Sequence, residues 1–448
     1  MKQTKRKWVV SFAILSALVL FGLFIPTSSG PANTDAAPID PGDTSWMIVA
    51  TALVFLMTPG LSFFYGGMVN YKNVISTMLQ SFISLGVISL LWFTVGFSLA
   101  FGDSIGGIIG NPFTFIAFQN VTLETNPDFS PTFPFLLFAL FQLKFAIITP
   151  ALITGSFAER VKFNSYLIFI CLFSLLIYSP LAHWTWHPEG FLRKWGVLDF
   201  AGGTVVHMSA GFAALAGAMI LGKRKFHYNG HSLPPANIPF ILLGTGLLWF
   251  GWFGFNAGSA LSANATAVLA FATTNMASAA AMLTWIFWDA INGRKVSAVG
   301  ASIGAVVGLV AITPAAGFVT INQSIFIGFA AAIVSNLAVH FKNRTDLDDT
   351  LDVFPCHGIG GIMGMLLTGV FAKDVGLIYG ETKTFLFHLL AMVIVGAFTF
   401  GGSYLLYKLT NLINPLRVSE DQESEGLDVS IHGETMTPST EPVPHLVS

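Results

Sequence analysis

The chain has 448 residues, of which 54% are hydrophobic and only 10% charged, where a soluble domain carries about 25% charged residues. That balance excludes a soluble globular domain and predicts an integral membrane protein, and the formal net charge of −2 gives no sign of a nucleic-acid-binding surface. The two cysteines, Cys171 and Cys356, both fall in apolar stretches, so neither a disulfide framework nor a Cys-rich metal site is available.

Residues 1–30 open with Lys2, Lys5, Arg6 and Lys7, run apolar from Trp8 to Ile25 and end in Pro26-Thr-Ser-Ser-Gly30. This is the grammar of a secretory signal, read either as a cleaved signal peptide or, because the apolar run exceeds the usual ~7–15 residues, as an uncleaved N-terminal anchor. From Ser45 the hydropathy breaks into segments of about 20 apolar residues, the length that crosses a bilayer. Eleven are predicted: 46–66, 74–102, 133–155, 163–182, 202–222, 238–258, 263–288, 297–313, 323–341, 354–372 and 385–411. With the first entering from outside, the inner flanks hold Lys72, Arg160, Lys162, Lys223, Arg224, Lys225, Arg294, Lys295, Lys342, Arg344, Lys408 and Arg417. The outer loops hold Arg193, Lys194, Lys373 and Lys383. The positive-inside rule therefore puts the C-terminus in the cytoplasm and the mature N-terminus outside.

Eleven spans fit an all-α membrane domain over 46–411, built as two five-helix inverted repeats plus a long final helix. The fifth and tenth spans should then correspond and run in opposite directions. His207 lies in the fifth, with Asp199 before it and Gly211 four residues after. His357 lies in the tenth, with Asp352 before it and Gly361 four residues after. An i, i+4 glycine leaves each ring beside a notch where another helix comes close. Beyond the last span, residues 412–448 form a polar, acidic tail whose far end reads as disordered and whose nearer part, 416–432, mixes apolar and charged residues suited to docking on the inner face.

Titratable rings inside a membrane are costly and mark functional sites by default. The bland reading is two packing histidines bonded to carbonyls; the sharper one is a facing pair, one from each repeat. A transition-metal site needs three or four ligands, and no third suitable ligand is in view. A neutral imidazole pair in an apolar interior can hydrogen-bond a small polar molecule or pass a proton, which suits a solute able to shed its charge. The stretch Trp249-Phe-Gly-Trp-Phe-Gly-Phe-Asn-Ala-Gly-Ser259 reads either as an interfacial belt or, with Trp184, Trp186, Phe141 and Phe145, as an aromatic vestibule for a small cation. Pro59 and Gly60 break the first span and read as packing. Lys144, beside Phe145, either snorkels to the outer interface or meets another subunit.

Five stretches together resemble the ammonium transporter (Amt/Mep/Rh) family, its bacterial Amt branch in particular. They are Met57-Thr-Pro-Gly-Leu-Ser-Phe-Phe-Tyr-Gly-Gly67, Ala158-Glu-Arg160, Asp199-Phe-Ala-Gly-Gly-Thr-Val-Val-His207, Gly254-Phe-Asn-Ala-Gly-Ser259 and Asp352-Val-Phe-Pro-Cys-His-Gly358. The resemblance implies that Trp186, Ser259 and Phe145 form an outer ammonium-recruiting site, with Trp184 as the rival of Trp186 because the loop 187–195 departs from the family pattern. It implies that Phe145 and Phe255 close the pore, that Trp252 walls the conduit, that His207 and His357 line it, and that Asp199 orders the outer site without touching substrate. It also implies a homotrimer and a contact between residues 417–433 and a PII-type regulatory protein. The expected activity is transport of ammonium, and of methylammonium, with a membrane sensor of ammonium as the alternative. An enzyme is not expected, and no cofactor motif is visible.

Overall fold

The computed structural model describes residues 2–24, 37–225 and 234–436. Helix α1 (Lys2–Phe24) is followed by eleven helices: α2 (Pro41–Met68), α3 (Tyr71–Phe101), α4 (Phe135–Ser156), α5 (residues 163–186), α6 (Gly203–Leu221), α7 (Ile238–Gly258), α8 (Ala265–Ile291), α9 (Ala298–Ile312), α10 (Ile321–Lys342), α11 (Phe354–Phe371) and α12 (Thr382–Ile413). Each coincides with a predicted span to within a few residues. All except α9, which has 15 residues, are long and apolar enough to cross a bilayer.

The ends of the helices follow from local chemistry. α2 starts five residues before the predicted span because the Asp40 carboxylate accepts from the Asp43 N–H and Pro41 opens the first turn. Asn237, Asn264, Ser297 and Thr320 cap α7, α8, α9 and α10 in the same way, and Thr320 forms a reciprocal capping box with Gln323. Between α3 and α4 the chain makes two small antiparallel hairpins, Ser104–Ile105 with Ile109–Gly110 and Thr125–Asn126 with Ser130–Pro134. Hydropathy carried no signal for strands this short.

Small residues set the packing. The Pro59–Gly60 step does not interrupt α2; Gly60 faces the Leu247–Leu248 backbone, and from the other side Gly244, Gly251 and Gly254 of α7 receive Phe64, Met57 and Leu53. Without a hydrophobic difference between lipid and protein, this close approach supplies much of the association.

α6 and α11 meet as counterparts. Each opens with a wide π turn, Gly203–Met208 and Phe354–Ile359, that carries its histidine. A side chain on Gly211 would strike Gly358, one residue past His357, and one on Gly361 would strike Met208, one residue past His207. The contacts exchange under a pseudo-two-fold operation, as the inverted repeat requires. One expectation is corrected. The carboxylate equivalent to Asp199 is Asp349 and not Asp352: Asp349 also precedes its histidine by eight residues, and its two oxygens accept from the Val353 and Phe354 N–H groups at the start of α11. Asp352, at φ +58°, instead pairs with Lys342 at 2.6 Å.

The tail from Asn414 to Met436 lies against the same end of the bundle as the α2–α3 and α6–α7 connections. Leu416 and Val418 bond across to Lys162 and Arg160 through backbone groups. Arg417 donates to the Leu221 and Lys223 carbonyls and to Glu423. Asp428 accepts from the Ile75 and Ser76 N–H groups, so the tail caps α3 from 353 residues away. Arg160 is fully buried and donates to the Asp348 carbonyl, Thr350 and Ser156, while Arg224 bridges Glu159 and Asp348 at 2.9 Å each. Several of the basic residues counted for topology are thus also structural. α1 touches the bundle at Gly22, against Phe93; the Pro26–Gly30 motif of the signal reading lies outside the described residues, as does the tail beyond 436.

Two outcomes are expected. Gly211→Val forces the two histidine helices apart, costing about 3 kcal/mol or more, and will lower the denaturation midpoint of the purified protein in detergent, with Gly211→Ala in between. Burial pushes the Asp428 carboxyl up to about 6, above its unfolded value, so docking is strengthened as pH falls from about 6 towards 4 and weakened as pH rises through 6. Protection factors for residues 420–432, taken relative to the intrinsic exchange rate at each pH, will rise as pH falls across that interval in the parent chain, and this rise will be lost in Asp428→Asn.

Candidate functional site

At the end of the bundle opposite the tail, a cavity of about 400 Å³ opens between α4, α5, α7 and the loop before α6, lined by Phe141, Gln142, Phe145, Trp186, Asp199 and Ser259 among others. Four of the eight residues singled out from sequence line it. The other four continue inward from its floor. Phe145 stacks on Phe255 with centroids 4.2 Å apart, and the Trp186 ring stands nearly perpendicular to Phe145 at 5.7 Å. Below the pair, His207 lies 6.1 Å from Phe255 and stacks with Trp252 at 5.4 Å. His357 follows, its ring 5.4 Å from that of His207 and the two Nδ1 atoms 3.3 Å apart. Both histidines are buried. The residues form one column from cavity to imidazoles.

The carboxylate is used locally. One Asp199 oxygen accepts from the Gly202 and Gly203 N–H groups at 2.8 and 2.6 Å, the other from the Thr204 N–H and hydroxyl at 2.8 and 2.5 Å. These are the orphan donors of the α6 N-terminus, where a negative charge is favoured. Its backbone carbonyl meanwhile accepts from Trp186 Nε1 at 3.2 Å. Asp199 therefore fixes the depth of α6, hence of His207, and the attitude of the Trp186 ring. Trp184 sits elsewhere, bonded to the Ile108 carbonyl and packed on Phe191 and Phe398. Ser259 donates its hydroxyl proton to the Phe255 carbonyl at 2.8 Å, which leaves its oxygen lone pairs for a donor in the cavity.

If both imidazoles are neutral, a 3.3 Å Nδ1···Nδ1 contact has one ring donating and the other accepting. Each Nε2 then stays available, and that of His207 is buried with no partner in the protein. Trp252 is held by Nε1 donating to Thr313 at 2.9 Å. The column thus offers π faces at the mouth, two closed phenyl rings, and beyond them imidazole nitrogens in an apolar wall. Among the described residues no group of three or more His, Cys, Asp or Glu side chains is placed to hold a metal.

Three contributors escaped the sequence reading. Gln142 lines the cavity, Thr313 orients Trp252, and His388 accepts from the Leu198 N–H at 2.9 Å while its Nδ1 contacts the Met365 carbonyl, pinning the loop that delivers Asp199. His388 carried a usable signal, being a third ionisable ring inside a span. Gln142 and Thr313 carried none.

Many membrane-crossing helices, an internal two-fold repeat and a site at the repeat interface define a polytopic transporter. The comparisons with known proteins narrow this. A profile of the Ammonium Transporter Family matches residues 45–437, and the chain belongs to that family, one of transporters and not of enzymes. The ammonium transporter of Aquifex aeolicus is 45% identical over 427 residues, covering 94% of this chain and 99% of the relative. That of Bacillus subtilis is 44% identical over 404 residues, 88% and 98% respectively. Among solved structures, Saccharomyces cerevisiae Mep2 superposes with a TM-score of 0.81 at 34% identity, covering 91% of this chain and 94% of that one. A protein described as a sensor Amt protein superposes at 0.80 with 31% identity, covering 87% and 98%.

Asp199→Ala strips the buried α6 N–H groups of their acceptor, at about 1–3 kcal/mol for each group left unpaired. The variant will melt at a lower temperature in detergent. Asp199→Asn, keeping one acceptor oxygen, will fall between it and the parent.

Proposed function

We propose that the chain transports ammonium, recruiting the cation in the 400 Å³ cavity and passing ammonia through the phenylalanine pair and along the histidines. The single observation that carries the reading is the column itself: π faces of Trp186 and Phe145 around a free Ser259 oxygen, then closed rings, then an apolar passage whose exposed chemistry is imidazole nitrogen. Aromatic faces attract a small cation, the more so where water is sparse. Taking that cation bare into the interior costs many kcal/mol, whereas ammonia needs only a hydrogen bond. The proton therefore leaves before or at the Phe145–Phe255 pair. The 3.3 Å imidazole contact gives it a separate route inward, and with that route transport is electrogenic.

The cavity is assigned to the outside and the tail to the cytoplasm because the basic residues concentrate at the tail end. We further assign residues 1–30 to a signal peptide or anchor, 46–411 to the membrane domain and 412–448 to a regulatory tail that meets a PII-type protein, in a homotrimer with one pore per subunit. A second reading, an ammonium sensor with little flux, is favoured by the likeness to the sensor Amt protein and by the tail being bonded directly to α3 and to the α6–α7 connection.

Uptake of labelled methylammonium in cells lacking other ammonium transporters separates the two. Saturable uptake is expected from the parent; its absence beside intact signalling would establish the sensor instead. His207→Ala and His207→Asp are expected to abolish or sharply reduce charge movement in proteoliposome recordings, and full ammonium-selective current without either histidine would sink the relay.

A further inference from the structure

Lys144 is the one charged side chain of α4, and nothing in the transport reading uses it. It lies ten residues into the helix, about 14 Å below its start, immediately before the phenylalanine that closes the cavity floor. On a helix it stands about 100° round from Phe145, on the flank turned to α2 and away from the passage. It is half-buried, and its Nζ sits 5.3 Å from the centroid of Phe55, itself 45% exposed on the outer surface of α2. Among the described residues no hydrogen bond or ion pair compensates it. A cation at this depth, held by one ring face, is retained at a cost.

We propose that Lys144 is a specificity-determining residue, a fixed positive charge beside the Phe145–Phe255 pair that opposes any cation at the cavity floor and leaves a neutral amine untouched. The inference rests on the transport reading above. Taken as roughly the overall width of a helix, the separation of Nζ from the passage is about 10–12 Å. Two like charges that far apart, at an effective dielectric near 20, repel enough to shift an equilibrium about tenfold, while neutral ammonia feels almost none of that field. Phe55 keeps the charge close: its ring face offsets part of the desolvation and holds the ammonium head on the α2 side. Lys144 therefore weakens recruitment of the cation and at the same place penalises its passage in charged form, so that selectivity for the deprotonated species is gained against affinity.

The test is the half-saturating methylammonium concentration for uptake into proteoliposomes of the full-length protein at fixed pH and salt, with sodium or potassium leak measured in parallel. Lys144→Met and Lys144→Gln are both expected to lower half-saturation about tenfold and to raise cation leak. Lys144→Glu should go further in both, while Lys144→Arg stays within about twofold of the parent. This order follows charge, whereas a packing role would make Arg and Glu the disruptive substitutions and Met the mild one. Unchanged half-saturation in both neutral variants overturns the proposal, as does an Arg variant displaced as far as the Met variant. A parent protein that takes up no methylammonium overturns the transport reading instead, so the two failures are distinct.

Discussion

The structure depends on a contact between two helix backbones with no side chain between them. Gly211 of α6 rests on Gly358 of α11, and Gly361 of α11 on the Gly203–Met208 turn of α6. In a membrane, where apolar surface is covered by lipid in either case, helices associate through close packing and polar contacts. The approach of these backbones brings His207 and His357 to 3.3 Å between nitrogens. Any side chain larger than hydrogen in the notch would separate the rings and open a gap that water could enter. The site is therefore a consequence of the inverted repeat.

Around that contact, anchoring and passage are assigned to different groups. The charges near the column, Asp199 and Asp349, face the helix starts and are consumed by backbone N–H groups. Each sets the depth of one histidine. Burial pushes the Asp349 carboxyl up to about 6, and the Val353 and Phe354 N–H groups resist that rise. The column itself is left to rings: aromatic faces at the cavity, the Phe145–Phe255 pair, and the two imidazoles beyond. Lys144 enters from outside the column and biases the choice between charged and neutral forms through its field alone.

The opposite end of the molecule is organised by ion pairs and backbone capping. Arg160, Arg224 and Arg417 gather the α4–α5 and α6–α7 connections, the stretch before α11 and the tail. The tail ends as a cap on α3 through Asp428, so release of residues 420–432 exposes the N-terminal donors of a membrane helix.

Hydropathy determined the number and approximate positions of the spans, because a length of about 20 apolar residues is imposed by the bilayer and not by neighbouring helices, while capping chemistry set their ends. The repeat was legible from His207, His357 and their i+4 glycines, since the same local geometry was needed twice. The carboxylate that corresponds to Asp199 is Asp349 and not Asp352: the shared eight-residue spacing to the histidine is a sequence signal, and the α11 N–H groups that Asp349 accepts from show the equivalence in space. The choice of Trp186 over Trp184 for the cavity, the roles of Gln142, Thr313 and His388, and the capping of α3 by Asp428 were decided by tertiary structure. Each joins residues distant in sequence or selects between neighbours on one helix, and local pattern carries no information about which face meets which neighbour. The sequence by itself determined a polytopic helical protein with two equivalent histidines; the meeting of those histidines, and the rings stacked above them, required the folded bundle, because only backbone approach at glycine brings the two repeats into contact.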